Sequence, residues 1–549
     1  MEKNNMKFLE KKKFNSFYSF SMIALLLLGV KHFMDTRAGA AASGDAWLNG
    51  WYLLLLFLCV AGAGVLGYLL YSGRKLEHIF VAAGLWFGSL YLFVLPPLSA
   101  PDEISHYISA YQLSSHLMGK PANYKTGHVL VRAEDWFLED VYGEYQYETD
   151  GTTLVAVNQE ETDGDVLGRT LTEETYRIIH EIGLSRDSES DMTAVSTYPP
   201  VVTTPFGHLP QAIGIVIARI LGMNSLGLAY MGRFFNLLFY VGLTFLAMKR
   251  LPFGKEVLFG TALLPMTLHL SGSMSYDTVI LALVFYFTAV CLDLAYKRDK
   301  VRLVDVITLM VLAAVMGPCK MVYAVLLGLC FLIPVQKFGG WRNYILSAFG
   351  VLAAFVAAMV LVNSQTIAVY ATETESYVMW AEEAGYSFGQ LLSNPALMFK
   401  MFYNTMIWQA EYYHLTMIGA YLGNVDVVLD VPYLVVALLS FCLLGLAFRK
   451  PGETLRITGK QRIWIWVVCA GCGAAVLFSM LLAWTPVSSA VITGVQGRYF
   501  LPFLPILLMS LKNETVVLTK NVDRTLLFLM CLSNSYVLFR LFSIVSMRL

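Results

Sequence analysis

Two adjacent carboxylates and a histidine lie where the chain leaves an apolar segment. Asp102 and Glu103 follow Pro101, and His106 comes one helical turn later, within residues 96–112 (PPLSAPDEISHYISAYQ). Ionisable groups at the edge of a bilayer are costly unless they face water, a metal or a reacting group, so they are functional candidates. A carboxylate pair can take a proton from an attacking group or hold a divalent metal, Mg²⁺ or Mn²⁺. We predict catalytic roles for Asp102 and Glu103, with metal ligation as the alternative, and a supporting role for His106.

Three cations are expected at a membrane depth similar to that of the carboxylates. Arg233 falls in the outer half of a predicted span, Lys320 at an outer turn and Arg498 at the start of a helix. The planar guanidinium group matches the oxygens of a phosphate, and a lone charge at the bilayer centre costs roughly 2.5–3.5 kcal/mol. A lipid phosphate would offset that cost. We predict phosphate binding by Arg233, Lys320 and Arg498, and a supporting role for Asp277, the acid that begins another span.

Each of these residues also has a structural explanation. Asp102 could be only the N-cap of a helix, worth about 1 kcal/mol, and Asp277 is open to the same interpretation. Lys320 could extend along apolar surface to bring its charge to water. Glu411 and His414, which follow an aromatic-rich segment, could touch an acceptor or lie in an exposed loop.

The composition places the chain in a membrane. Of its 549 residues, 57% are hydrophobic and only 14% are charged, and the mean hydropathy is +0.60. Several segments exceed the 18 or so apolar residues that cross about 30 Å of hydrocarbon. The formal net charge is zero, and without a clustered basic face there is no electrostatic footprint for nucleic acid. We predict an all-α polytopic protein of the cell membrane that contacts the lipid bilayer and no nucleic acid.

Hydropathy predicts about thirteen transmembrane helices, near residues 17–34, 51–72, 78–97, 227–248, 255–272, 276–296, 303–317, 319–335, 342–362, 431–448, 462–484, 498–511 and 524–545. Lysine and arginine cluster in alternate connections, which gives a cytoplasmic N-terminus and an extracytoplasmic C-terminus. The first span could be a cleavable signal peptide, but the charged residues that follow it favour an uncleaved anchor. Gly317-Pro318 and Ser271-Gly272-Ser273 interrupt two long apolar stretches, where we predict short helices joined by tight turns.

The polar segments divide the chain into four parts. These are two N-terminal spans (1–77), a core (78–362) that contains an extracytoplasmic loop (98–226), a second extracytoplasmic loop (363–430) and the C-terminal spans (431–549). Between residues 101 and 205 the chain has 19 Asp and Glu against 6 Lys and Arg. The first loop is therefore predicted to be a small acidic domain of mixed structure.

Local patterns predict elements within this acidic loop. Residues 102–117 have helical spacing of apolar side chains and are expected to lie along the membrane surface as an amphipathic helix. Residues 205–223 are apolar but interrupted by a proline and an arginine, which suits a second interfacial helix. Asp150-Gly151 predicts a hairpin turn, and residues 172–183 (TEETYRIIHEIG) predict a short helix. Residues 184–195 are expected to be mobile.

The order of several short motifs resembles a known family, a bacterial multispan membrane family of unknown function that is itself similar to GT-C glycosyltransferases. The motifs are PDE-x-x-H (101–106), YPP (198–200), G-R-x-x-N (232–236), LLPM…SYD (263–277), Pro-x-Lys (318–320) and GRYFLPFLP (497–505). The resemblance implies a GT-C-like fold and a sugar donor on a polyprenyl phosphate. It also implies an extracytoplasmic glycan, lipid or cell-envelope acceptor, and an acidic residue at the start of the first large outer loop. Two extra N-terminal spans depart from the pattern, and nothing identifies the sugar.

Three classes of function fit these features. The first is a GT-C-type glycosyltransferase. The second is a polytopic transporter or a lipid or polysaccharide flippase, which would show paired structural repeats and a midplane site, whereas here the charges gather at the outer face and no repeat is visible. The third is a non-catalytic envelope assembly protein, which would need neither the acidic pair nor the intramembrane arginines. We predict the enzyme.

Overall fold

The computed structural model describes residues 2–138, 146–157, 170–186, 192–201, 204–372, 376–454 and 457–549. Within these ranges the protein is mostly helical, and eight helices are long and apolar enough to cross a bilayer: Ser16–Ser43, Trp47–Tyr71, Leu76–Val94, Ser225–Arg250, Asp277–Lys297, Trp341–Ser364, Gly459–Ala483 and Asp523–Met547. Three shorter apolar helices accompany them, Leu303–Cys319, Met321–Leu332 and Tyr433–Ala447. The fold is that of a polytopic membrane protein.

The helices, in chain order, are α1 (Glu2–Ser43), α2 (Trp47–Tyr71), α3 (Leu76–Val94), α4 (Glu103–Leu117), α5 (Glu173–Ile182), α6 (Leu209–Ile220), α7 (Ser225–Arg250), α8 (Lys255–Ala262), α9 (Pro265–Ser271), α10 (Asp277–Leu292), α11 (Leu303–Cys319), α12 (Trp341–Thr372), α13 (Phe388–Ser393), α14 (Pro395–Ile418), α15 (Tyr433–Ala447), α16 (Gly459–Ala483), α17 (Leu504–Met509) and α18 (Asp523–Met547). The strands are β1 (Leu130–Arg132), β2 (Tyr147–Asp150), β3 (Thr153–Ala156), β4 (Thr193–Val195), β5 (Ser376–Val378) and β6 (Glu383–Gly385).

Eight of the thirteen predicted spans coincide with the long helices, and the other five are shorter elements. The predicted span 255–272 is two helices, α8 of 8 residues and α9 of 7 residues. Pro265 begins α9, because a proline cannot donate the hydrogen bond that would continue α8 through it. The predicted span 498–511 is a 3₁₀ turn, Gly497–Phe500, followed by the six-residue α17. The predicted break near Gly317-Pro318 is confirmed, since α11 ends at Cys319.

The acidic domain sits on the end of the helix bundle where α3 and α18 finish. The Tyr176 hydroxyl in α5 donates to the carbonyl of Val94 at 2.7 Å, and the Tyr176 ring stacks on Phe542 of α18. The backbone N–H of Glu173 donates to the Arg548 carbonyl at 2.9 Å. These contacts fix the domain to the membrane-spanning helices.

A four-stranded sheet in the order β1-β4-β3-β2 forms the centre of that domain. β2 and β3 pair as an antiparallel hairpin in which Asp150 faces Thr153, and Gly151 takes the left-handed conformation that the turn requires. The predicted hairpin and the predicted helix at 172–183 are confirmed. The prediction of a mobile segment at 184–195 is wrong at its end, because Thr193–Val195 is strand β4; residues 187–191 lie outside the described residues.

The structure adds detail to two predicted outer segments. Ten of the fifteen residues of α4 are buried where it packs against α6 and β1, and its orientation along the membrane surface stays a prediction. The predicted second loop, 363–430, contains α14, a 24-residue helix. On α14, Glu411 is exposed, and His414 Nε2 lies 2.8 Å from the Ser440 hydroxyl.

Candidate functional site

The Gly497–Phe500 turn is held tightly against α14. The backbone N–H of Gly497 donates to the Thr416 hydroxyl at 2.8 Å. A Cβ atom at position 497 would lie 1.8 Å from the carbonyl oxygen of Tyr413, so only glycine fits. This close approach carries the next residue, Arg498, into the protein interior.

Arg498 is a buried cation with incomplete hydrogen bonding. Its side chain is 5% exposed, with Nη2 3.8 Å from Asp102 Oδ2 and Nε 3.7 Å from Asp277 Oδ2. Within the described part of the chain, its Nε and Nη1 atoms have no hydrogen-bond partner. Burial acts to lower the pKa of Arg498, but Tyr499 and the two carboxylates raise it, so the group stays charged. A buried charge of this kind is costly without further partners, which makes it suited to an anion.

Lys320 completes a cationic pair around Asp277. Its Nζ atom lies 3.0 Å from Asp277 Oδ1 and 4.0 Å from the centroid of the Tyr499 ring. Asp277 therefore bridges Lys320 and Arg498 through its two oxygens, and the structure brings these three residues together. Lys320 is paired with a carboxylate and an aromatic face and does not extend along apolar surface.

Asp102 faces Arg498 from the open side of the site. Its backbone is left-handed, with φ +55°, and its side chain is 60% exposed. The side chain makes no capping hydrogen bond to α4, so the N-cap explanation fails. A left-handed residue other than glycine costs of order 1–3 kcal/mol and is concentrated at functional sites.

Arg233 does not belong to this cluster. It is fully buried, and its guanidinium group donates to Leu92 O, Leu95 O and Pro96 O at 3.1, 2.6 and 2.8 Å. Its Nε and Nη2 atoms also donate to Glu103 at 2.7 Å each. These contacts occupy all five N–H donors of an arginine. Arg233 therefore has no free donor for the predicted phosphate. Its hydrogen bonds instead brace α7 against the end of α3.

Glu103 is committed to the same brace. Its two oxygens accept from Arg233 and also from the backbone N–H groups of Ala100 and Met274, at 3.0 and 2.9 Å. Burial acts to raise the pKa of Glu103, but Arg233 and these N–H groups hold it below its ordinary value. Glu103 is therefore a buried, fully bonded carboxylate, and the predicted catalytic role does not fit its position.

The predicted metal pair does not fit either. Glu103 points into the protein towards Arg233 while Asp102 points towards Arg498, so the two carboxylates cannot share one ion. In the described ranges no group of three or more His, Cys, Asp or Glu side chains could hold a metal ion.

His106 contacts a second histidine that sequence reasoning missed. His106 Nδ1 lies 3.0 Å from His208 Nε2, and the ring of His106 packs 5.1 Å from that of Tyr276. Burial lowers the pKa of His208 to about 3 and that of His106 well below its ordinary value, so both are neutral. His106 thus supports Tyr276, the neighbour of Asp277. Tyr276 and Tyr499 lie inside the SYD and GRYF motifs, and these motifs are the sequence signal that points to the two tyrosines.

No curated protein and no solved structure matches the chain significantly. One family model, described as "Predicted membrane protein (DUF2142)", matches residues 85–507. That range contains the cluster and the brace, and it leaves out α1 and α2. Because the match covers more than half of the 549 residues, the chain belongs to the DUF2142 family of predicted membrane proteins.

Proposed function

We propose that this protein is a membrane glycosyltransferase that moves a sugar from a polyprenyl-phosphate donor to a glycan, lipid or other cell-envelope acceptor. The observation that carries the proposal is Arg498, a buried guanidinium group whose Nε and Nη1 atoms have no hydrogen-bond partner among the described residues. A phosphate oxygen would accept from the Nη1 edge, because arginine donates to phosphate along the edges of its planar guanidinium group; Nε lies on another edge, 3.7 Å from Asp277 Oδ2. Asp277, which holds this group, begins a membrane-spanning helix, and this position favours a phosphate carried by a lipid.

The reaction would use the three charged groups in different roles. The acceptor hydroxyl oxygen attacks the anomeric carbon, and the bond from that carbon to the phosphate oxygen breaks, so its electron pair leaves with the polyprenyl phosphate. The acceptor proton passes to the carboxylate of Asp102. Arg498 and Lys320 stabilise the charge that develops on the leaving phosphate, and Asp277 keeps the two cations beside each other.

The first test is binding of the lipid product. The purified protein in nanodiscs is titrated with a polyprenyl phosphate and with the neutral polyprenol of the same length. We expect the phosphate to bind at least ten-fold more tightly, and Arg498→Lys to remove most of this difference because lysine lacks the fork. Arg177→Lys, in an exposed pair with Glu174, is the matched control. Equal binding of phosphate and alcohol by the parent protein would refute the proposal.

The second test is transfer itself. Radiolabelled polyprenyl-phosphate hexoses and pentoses are supplied to the protein in liposomes that contain membrane-extracted acceptor. The proposal requires labelled product that depends on Arg498. Movement of labelled lipid between leaflets without any product would instead identify a flippase.

A further inference from the structure

A polar cavity lies in the acidic domain, away from Arg498. It encloses about 350 Å³ between the last turn of α4, the sheet and α6. Its charged and polar lining includes Tyr111, Ser115, Lys120, Arg132, Glu134 and Arg219. None of the roles described above uses this cavity.

Arg219 lines the cavity and has an unsatisfied donor buried in the cavity wall. The residue is 8% exposed, and its Nη1 atom donates to the hydroxyls of Ser114 and Ser115 at 3.0 Å each. Its guanidinium group lies over the Tyr111 ring, 4.7 Å from the centroid. Across the described ranges its Nε atom has no hydrogen-bond partner. A buried cation that contacts only neutral groups retains the capacity to bind a ligand oxygen.

Glu134 lines the same cavity, and both of its unsatisfied carboxylate oxygens are buried in the cavity wall. Its side chain is 17% exposed, and neither carboxylate oxygen has a hydrogen-bond partner in the described residues. The nearest cation, Arg132, lies 3.8 Å away but is committed to Asp135 through two hydrogen bonds of 2.6 and 2.7 Å. A ligand that donates hydrogen bonds would satisfy Glu134.

We propose that this cavity binds a saccharide. Sugar hydroxyls both donate and accept, so they can donate to Glu134 while accepting from the Arg219 guanidinium group and from the exposed ammonium group of Lys120, once the buried polar atoms of Glu134 and Arg219 turn towards the cavity. An inorganic anion would satisfy Arg219 but would face the carboxylate of Glu134. A metal cation would be attracted by Glu134 but repelled by the positive charges of Arg219 and Arg132. Apolar atoms of Pro121 and Met192 also line the cavity.

The position of the cavity relates it to the reaction. α4 begins beside Asp102 and carries Ser115 near its end, and the sequence separation of 13 positions corresponds to about 20 Å at 1.5 Å per residue. An extended oligosaccharide held by Arg219 and Glu134 can therefore direct one end towards Asp102. This assignment as acceptor rests on the proposed function, whereas saccharide binding itself does not.

The test measures binding to the full-length protein in nanodiscs with three defined probes: cellotetraose, chitotetraose and tetragalacturonate. We expect at least one to bind, and Glu134→Gln and Arg219→Gln each to weaken that binding ten-fold or more. Lys125→Gln, which breaks an exposed pair with Asp150 in the same domain, should change nothing. Arg498→Lys should abolish transfer and leave saccharide binding intact, so failure of the proposed function and failure of this inference can be told apart.

Three outcomes would overturn the inference. The first is that none of the three saccharides binds the parent protein. The second is that a saccharide binds Glu134→Gln, a near-isosteric variant whose folding is checked by its unfolding temperature, as tightly as it binds the parent. The third is that sodium sulfate, and no saccharide, protects a cysteine placed at Lys120 from alkylation, which would make the cavity an anion site.

Discussion

The two carboxylate oxygens of Glu103 lie 2.7 Å from Nε and Nη2 of Arg233, and both side chains are buried. This bidentate pair joins α7 to the first turn of α4. It therefore fixes the backbone from which Asp102 projects towards Arg498, although neither member of the pair reaches the cluster itself.

Glu103→Gln should destabilise the protein. The change leaves the buried charge of Arg233 without its counter-ion, and breaking one side of a buried pair costs about 3–5 kcal/mol. The unfolding temperature in detergent and the yield of folded protein measure this loss. Glu174→Gln, which removes one partner of the exposed pair with Arg177, should change the stability by less than about 1 kcal/mol. Parental stability of Glu103→Gln would contradict the bracing role.

Asp102→Gly should stabilise the fold and abolish the reaction. Glycine tolerates the left-handed backbone, which costs other residues roughly 1–2 kcal/mol, while loss of the carboxylate should lower transfer by about 100-fold or more. Glu382→Gly is a matched control, because Glu382 also has a left-handed backbone, with φ +50°, and is exposed. It should show the gain in stability with parental transfer. Parental transfer by Asp102→Gly would exclude Asp102 as the base.

Gly497→Ala should reduce transfer without altering any charge. The added Cβ would meet the Tyr413 carbonyl at 1.8 Å, so the turn must shift and carry Arg498 away from Asp277. We expect a fall of about ten-fold to 100-fold, since misplacement by about 1 Å is enough for such a loss. Gly459→Ala introduces the same methyl group where nothing lies within 4 Å, and its transfer rate should match that of the parent.

Docking of α5 should weaken as the pH rises through 7. Burial, followed by the hydrogen bond and charge of Asp45, raises the pKa of Glu173 from 4.5 to about 7. A carboxyl group whose pKa is higher in the folded protein than in the unfolded chain stabilises the folded protein at pH values below the unfolded pKa. This stabilisation is lost as the pH rises through the folded pKa, here about 7. Amide hydrogen exchange in α5, corrected for intrinsic rates, should be faster at pH 8 than at pH 6. The Glu173→Gln variant should not show the difference.

The sequence was sufficient to locate the cluster along the chain. Asp102, Asp277, Lys320 and Arg498 each stand at the end of an apolar or interrupted segment, and hydropathy assigns them a similar depth. Depth is the one coordinate that hydropathy supplies. It does not say which side chains face each other, so it predicts Arg233 beside Arg498 although the donors of Arg233 are all used elsewhere.

The division of roles between the adjacent carboxylates could not be predicted. It depends on the left-handed backbone at Asp102 and on a partner 130 residues away from Glu103, and neither leaves a local signature. His208 was missed for a similar reason, because its contact with His106 joins positions 102 residues apart. The short helices α8 and α9 were merged because their apolar composition is continuous across Pro265.

The brace between Glu103 and Arg233 also constrains how the sequence can vary among related proteins. Since the two side chains satisfy each other, loss of one would expose the other, and the two positions should change together or not at all. An apolar pair of similar volume is a feasible joint replacement, because such swaps are often neutral in buried sites. Asp102 has no bidentate partner of this kind, because its contact with Arg498 is a single one of 3.8 Å, so we expect no paired replacement at position 102. If related proteins change together at positions 103 and 233 but keep Asp at position 102, that pattern would indicate that one carboxylate serves to hold the fold together and its neighbour serves the reaction.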